Sequence, residues 1–361
     1  MTSVVILSSD RSPIVCVKCR ATRSAVIGLD LSRVVTGFGR HASIRTISLL
    51  LLAFTCWAPS TGCERARRVP RVEPILHGWE RPYRGVPGLE LHVFETGKLS
   101  LPRGSVFQGG SWFEREELPV PAYVVRHPDG RTIVFDTGFS PRINTDPNRY
   151  LGFMVSILGG FAMAEGQDLV SQLREAGIDS ATVSHVVVSH LHFDHAGMVA
   201  DFPEAELVVN ASELASADAA TTDTSLYNAL DYEKVESWKA LEFDTDRPLA
   251  TFVSHVDLLG DGSLYVVPLP GHTTGGIGLL VRLSDGPVLL AADAAPVEES
   301  WRYAAMPFWA EDRDAWWETI WRIKRFLQLV PDAAVLGGHD TQALSIEDHR
   351  TIISHPFETE N

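Results

Sequence analysis

His190, His192, Asp194 and His195 fall in one six-residue string, His190-Leu191-His192-Phe193-Asp194-His195, directly after the apolar run His185–Val188. Side chains two apart on an extended chain share a face, so His190 and His192 present imidazoles to one point while Asp194 and His195 turn toward a neighbouring one. A His-rich solvated turn is the bland alternative, but with 13 His in the chain such a string arises by chance in roughly one chain in a thousand. Four residues of one loop do not complete a metal site. Further candidates stand where other apolar runs end: His272 in Gly271-His272-Thr273, Asp293 after Val288–Ala292, and His339 in Gly338-His339-Asp340. Imidazole and carboxylate ligands without a thiolate suit zinc or a similar first-row ion. With an open position left, a metal-held water becomes hydroxide near neutral pH. The expected chemistry is therefore hydrolysis: hydroxide attacks a polarised carbonyl, the metals stabilise oxyanion and departing alkoxide, and Asp194 shuttles the proton.

Those residues need strand ends to hold them. Short β-rich runs recur at Leu89–Phe94, Ala122–Arg126, Thr132–Phe135, His185–Ser189, Glu206–Val209, Leu264–Leu269, Ile277–Leu283, Val288–Ala292 and Ala333–Leu336. Many are almost continuously apolar, as strands buried on both faces are. Helical stretches are expected at Asp168–Ala176, Ser212–Ala220 and Asp312–Leu329, the last with Trp316, Ile320, Ile323, Phe326 and Leu327 at helical spacing. The mixture predicts one α/β domain over 86–361 with helices covering sheet faces.

The motif set resembles the metallo-β-lactamase superfamily, and within it the N-acyl homoserine lactonases of the quorum-quenching type. The resemblance covers about residues 86–345, through Phe135-Asp136-Thr137-Gly138, Ser189–Gly197, Gly271-His272-Thr273, Asp293 and Gly337-Gly338-His339. It implies a four-layer αββα sandwich with two divalent metal ions, zinc by preference, at one edge. His190, His192 and His272 would hold the first metal, Asp194, His195 and His339 the second, and Asp293 would bridge both. Asp136 would orient a ligand imidazole. Two positions depart from the family. The Tyr that contacts the lactone three residues beyond the bridging Asp is Pro296 here, so that either Tyr303 or a tryptophan such as Trp301 substitutes or the substrate differs. His272-Thr273-Thr274 lacks the usual Pro after the first Thr.

Competing hydrolytic sets are absent: the chain has no G-x-S-x-G elbow and no P-loop, and Asp136-Thr137-Gly138 has no second D-T-G to form a protease dyad. All four cysteines, Cys16, Cys19, Cys56 and Cys63, lie in residues 1–63, so the body offers no Cys nucleophile. Residues 1–63 carry seven Lys/Arg against two Asp/Glu, which leaves −20 of the total −15 on the remainder and argues against a nucleic-acid partner.

Arg40, His41 and Arg45 precede the run Leu49–Ala58, followed by Pro59-Ser60-Thr61-Gly62-Cys63. That charged, apolar, small-residue order is a signal peptide's, and the run is half of the roughly 20 residues a membrane span needs. Ser60–Cys63 resembles a bacterial lipobox with Ser in place of the usual Leu, so Cys63 would become a lipidated N-terminus and attach the chain to a membrane. Plain secretion is the alternative. Either reading places the body outside the cytoplasm, with 1–63 as upstream segment and signal, 64–85 as an Arg- and Pro-rich linker, and 86–361 as the hydrolase domain. Cys16-x-x-Cys19 has no second pair to complete a zinc ribbon.

The expected function is a dinuclear hydrolase that opens the lactone ring of an acyl homoserine lactone or related cyclic ester through a metal-bridging hydroxide. Another ester, thioester, β-lactam or phosphotriester hydrolase of this fold is the nearest rival, and a surface-anchored binding protein without turnover is a rival of another class. The apolar stretch from Leu151 to Met163, the segment Ala304–Trp309, and Trp112 with Phe113 are candidates to line an acyl pocket.

Overall fold

The computed structural model describes residues 67–145, 147–152, 155–156, 159–220, 226–340 and 351–355. The signal, lipobox and Cys16/Cys19 readings, with Phe153, Met154, Ile157 and Leu158 of the apolar stretch, lie outside the described residues. The unit that carries the site begins at Val72.

One sheet contains β1 (Glu90–Pro102), β2 (Arg115–Arg126), β3 (Thr132–Phe135), β4 (Gly160–Ala162), β5 (His185–Val187), β6 (Glu206–Asn210), β7 (Lys239–Leu241) and β13 (Ile352–His355), in the order β13-β1-β2-β3-β5-β6-β7 with β4 on β1. The other contains β8 (Val256–Asp257), β9 (Leu264–Pro268), β10 (Ile277–Leu283), β11 (Gly286–Ala292) and β12 (Ala334–Gly337), in the order β12-β11-β10-β9-β8.

Period-two alternation decides which side chains meet. Leu91, Val93, Val125, Ile133, Phe135 and Val187 of the first sheet pack on Leu264, Val266, Leu279, Val281, Val288 and Leu290 of the second. Their neighbours along the strands point the other way. Phe94, Val124, Val134 and Val186 meet Leu169 and Leu173 of α1 (Leu169–Glu175). On the far side Val267, Leu280 and Leu289 meet Trp316, Ile320, Ile323 and Phe326. These four lie on α5 (Arg313–Leu329), whose start is fixed by Asp312 accepting from the amides of Asp314 and Ala315. The layers are thus helix, sheet, sheet, helix, as the resemblance implied.

Residues 77–83, assigned by composition to a linker, pack on the second sheet. His77 pairs with Ala250, Trp79 rests against the α5 cluster, and the Tyr83 hydroxyl donates to Leu283 O at 2.7 Å. Among the described residues no helix is long and apolar enough to cross a membrane.

Candidate metal centre

Strand β5 stops at Val187, and the chain then delivers His190 and His192 before turning. His192 opens the short helix α2 (Phe193–Ala196), where the amides of His195 and Ala196 both donate to His192 O at 3.0 and 2.9 Å. That turn sends Asp194 and His195 to a different point from the two preceding imidazoles. Strand β11 ends at Ala292, held at φ 44°, and presents Asp293. Beyond β12, Gly338 N–H donates to Ala292 O at 2.9 Å and His339 N–H to Pro296 O at 2.7 Å, which seats His339 beside Asp293. Pro296, where a Tyr was expected from the resemblance, thus offers its carbonyl to a site residue.

All seven sequence-predicted ligands converge, in two groups. His190 Nε2 lies 3.1 Å from His192 Nδ1, which lies 3.1 Å from His272 Nε2. In the second group His339 Nε2 is 3.4 Å from Asp194 Oδ2, and His195 Nε2 is 3.9 Å from the same oxygen. Asp293 belongs to both: Oδ2 is 3.4 Å from His272 Nε2, while Oδ1 is 3.4 Å from both His195 Nε2 and His339 Nε2. All seven are buried, from 2% exposure at His190 and His195 to 8% at Asp293.

The donor set fits cations. Tetrahedral zinc at about 2.0–2.1 Å from nitrogen sets its ligands about 3.3 Å apart, close to the separations observed here. Burial, with the neighbouring imidazoles, pulls His190 well below the ordinary histidine pKa and His192 down to about 3, and burial lowers His272. These three are therefore neutral imidazoles whose ring nitrogens face one another at 3.1 Å, where a cation between them would take their lone pairs. Around the second point burial works against protonation of His195 and His339, but the carboxylates of Asp293 and Asp194 outweigh it. His195 is held well above its ordinary value and His339 at about 10. Positive charge is thus favoured where the second cation would sit. His195 Nε2 and Asp293 Oδ1 are buried and make no hydrogen bond among the described residues.

Imidazole orientation is fixed from behind. Asp136, at φ 59° just past β3, accepts from Ser189 N–H at 2.7 Å and from the Ser189 hydroxyl at 2.8 Å, and its Oδ2 lies 2.8 Å from His195 Nδ1. His339 Nδ1 donates to Pro119 O at 2.9 Å, which leaves Nε2 for the centre.

Tyr303 is 71% exposed at the end of α4 (Glu298–Tyr303) and makes no hydrogen bond or ring contact with the seven among the described residues. Two residues beside the centre were missed by sequence reasoning. Tyr227 sets its ring edge-on to His192 at 4.8 Å, and Glu213 accepts from the amides of Leu191 and Gly275. Glu213 reads in the sequence as an ordinary polar position on a short helix; its only signal is that it lies between apolar-facing positions after a buried strand.

Of the expected acyl-pocket residues, Val155, Phe161 and Met163 pack against a buried group containing Phe139 and Phe193, and Phe193 sits between two ligands in sequence. Trp112, Phe113, Phe308 and Trp309 are instead exposed, with Trp112 edge-on to Phe308 at 5.4 Å.

A two-sheet sandwich with five histidines and two aspartates gathered at its strand ends defines a metallo-hydrolase. The chain belongs to the metallo-beta-lactamase superfamily, whose sequence profile matches residues 115–339. It is 32% identical over 263 residues to the N-acyl homoserine lactonase AttM of Azorhizobium caulinodans, an alignment that spans 71% of this chain and 94% of that relative. It is 30% identical over 260 residues to AttM of Agrobacterium fabrum, with the same coverage of 71% and 94%. A solved N-acyl homoserine lactone hydrolase, with the product N-hexanoyl-L-homoserine at its catalytic metal centre, matches with a TM-score of 0.60 at 22% identity over 70% of this chain and 94% of that one. That structural likeness establishes the shared fold.

Proposed function

We propose that this protein is a dinuclear, zinc-dependent lactonase, acting outside the cytoplasm on N-acyl homoserine lactones or related cyclic esters. The observation that carries the dinuclear reading is Asp293, whose two oxygens face two separate groups of imidazoles. His190, His192 and His272 would hold one cation, and Asp194, His195 and His339 the other. Two divalent cations held there would activate water as a nucleophile and polarise the carbonyl as Lewis acids. The chain's own part is to hold these ligands in fixed orientation and to move the proton. Asp194 would carry the proton, a reading supported by its carboxylate facing His339 at 3.4 Å within the centre. The apolar group around Phe161 and Phe193 suits an acyl chain. The lactone is favoured as substrate by the AttM relatives, whose alignment spans 94% of their length. The charged, apolar, small-residue order ending at Cys63 supports export, with lipid attachment at that cysteine.

Pro296 favours a second reading, a different ester, thioester, β-lactam or phosphotriester, because it removes the expected lactone-contacting hydroxyl. Zinc-loaded protein offered a panel of acyl lactones, a β-lactam and a phosphotriester decides between them. Lactone ring opening is expected to be fastest. Two bound metals with no turnover of any member would leave a binding protein and overturn the enzymatic reading.

A further inference from the structure

One buried carboxylate beside the centre is used neither as a ligand nor for an ion pair with a cationic side chain in the contacts described above. Glu213 lies on α3 (Ala211–Ala219), a helix begun by Asn210 accepting from Ser212 N–H at 3.0 Å, and is 0% exposed. Its Oε1 accepts from Leu191 N–H at 3.0 Å and its Oε2 from Gly275 N–H at 3.2 Å. Leu191 is the residue between His190 and His192, and Gly275 lies three residues past His272. The two oxygens of one carboxylate thus grip the two separate segments that supply the three-histidine group. Gly275 has no Cβ, and one there would overlap the Glu213 backbone, so the turn can press directly on the helix. Tyr227 closes the same corner: its ring packs on His192 and its buried hydroxyl lies beside the Glu213 carboxylate.

A buried carboxylate is costly unless its oxygens are hydrogen-bonded, and amides that point at it gain charge-assisted bonds. Glu213 is therefore placed where an apolar residue would fill the volume more cheaply but would leave two buried amides unsatisfied. We propose that Glu213 is a positioning residue for the first metal, tying the His190-Leu191-His192 segment to the His272–Gly275 turn so that three imidazoles converge before a cation arrives. The proposal rests on the dinuclear reading for its consequence in metal binding, but the clamp itself exists in the metal-free chain. Asp293 and the second group of ligands receive no contact from it in the bonds described, so its effect is confined to one of the two cations.

The test is Glu213→Gln. The carboxamide keeps the size but offers one acceptor, and its NH2 group must then face one of the two backbone N–H donors. Competition for zinc between metal-free protein and a chromophoric chelator resolves the two equivalents. Affinity of one equivalent is expected to fall by about 10- to 100-fold, the range seen when a partner that orients a ligand is lost, with the other unchanged. Both equivalents binding as in the wild type, or both weakening alike, would overturn the proposal. Should the variant fail to fold, amide hydrogen exchange on metal-free wild type judges the clamp directly. Protection at Leu191 and Gly275 supports it, and exchange at the rate of exposed loop amides overturns it. Wild type that binds no zinc would instead sink the dinuclear reading, and the exchange measurement would still decide the clamp.

Discussion

Asp136 faces His195 across 2.8 Å with a carboxylate oxygen against the ring nitrogen that points away from the metal centre. The contact sets a tautomer. With Nδ1–H donating to Asp136, Nε2 is the nitrogen left to face Asp293 and Asp194, and its lone pair would become available to a cation that displaces the proton there. Asp136 achieves this from a left-handed backbone conformation, φ 59°, which a non-glycine residue adopts at a cost. The Ser189 amide and hydroxyl, both bonded to the same carboxylate, hold it there.

Asp136→Asn should therefore loosen one metal and spare the other. The amide retains an acceptor for Ser189 but brings an NH2 group toward His195 or Ser189, which opposes the required tautomer. Affinity for one equivalent is expected to drop by about 10- to 100-fold, with the far-ultraviolet spectrum unchanged. Chelator competition measures it, and wild-type affinity at both equivalents would show that Asp136 serves the fold alone.

Gly338→Ala addresses the bridge. A Cβ at Gly338 would overlap Asp293 Oδ1 and press on the Ala292 and Asp293 backbone, so the carboxylate has to swing off its position between the two groups. Both metals should be lost or weakened together, because Asp293 is shared. Gly130→Ala is the control: Gly130 sits at φ 97° with nothing near its missing Cβ, so the change strains the backbone by about 1 kcal/mol without touching the centre. Metal content is the readout. Two full equivalents in the Gly338 variant would mean that Asp293 does not bridge.

Much of this centre was legible because the ligands' chemistry is carried by residue type and their convergence by strand ends. His190, His192, Asp194, His195, His272, Asp293 and His339 each follow an apolar run that the structure confirms as strand, within one or two residues at the site end. Glu213 and Tyr227 were not legible, since their roles depend on which distant loops α3 and the segment before residue 229 touch, and spacing carries no such information. The strands β4, β7, β8 and β13 escaped for a related reason: each is only two to four residues long and owes its pairing to a neighbour rather than to its own pattern. The segment around Trp79 and Tyr83 read as linker because Arg and Pro dominate it, yet the two rings stack at 5.8 Å and anchor it.

Tyr303 and Tyr227 divide the question of what replaces the expected lactone-contacting tyrosine. A side chain 71% exposed contributes little, so Tyr303→Phe should leave KM within about twofold of wild type. Tyr227→Phe keeps the ring against His192 but removes the hydroxyl beside Glu213. It should lower metal affinity more than it raises KM. Steady-state kinetics on metal-saturated protein separates the two, and a large KM rise in Tyr303→Phe would place that hydroxyl over the substrate.

Asp231 provides a pH dependence that is independent of the metal ligands. Burial pushes its carboxyl up to about 8, against the opposing pull of the Tyr150 hydroxyl, which donates to both its oxygens at 2.8 and 2.7 Å, and of Arg142 at 3.5 Å. An unfolded chain has an ordinary aspartate of about 3.9. Between those values the native protein holds a proton that the unfolded chain releases. Folding stability contributed by this group is therefore fully present at acid pH and declines as pH rises from about 4 toward 8. Asp231→Asn cannot ionise, so its stability should lack that decline. Urea midpoints of wild type and variant, compared at pH 5 and pH 8, are expected to differ most at the lower pH in favour of wild type and to converge or cross at the higher. Taking the difference at each pH cancels the titration of the histidine cluster, which both proteins share. Midpoints that shift in parallel would mean that Asp231 is ionised in the native protein throughout, with Arg142 and Tyr150 compensating fully for its burial.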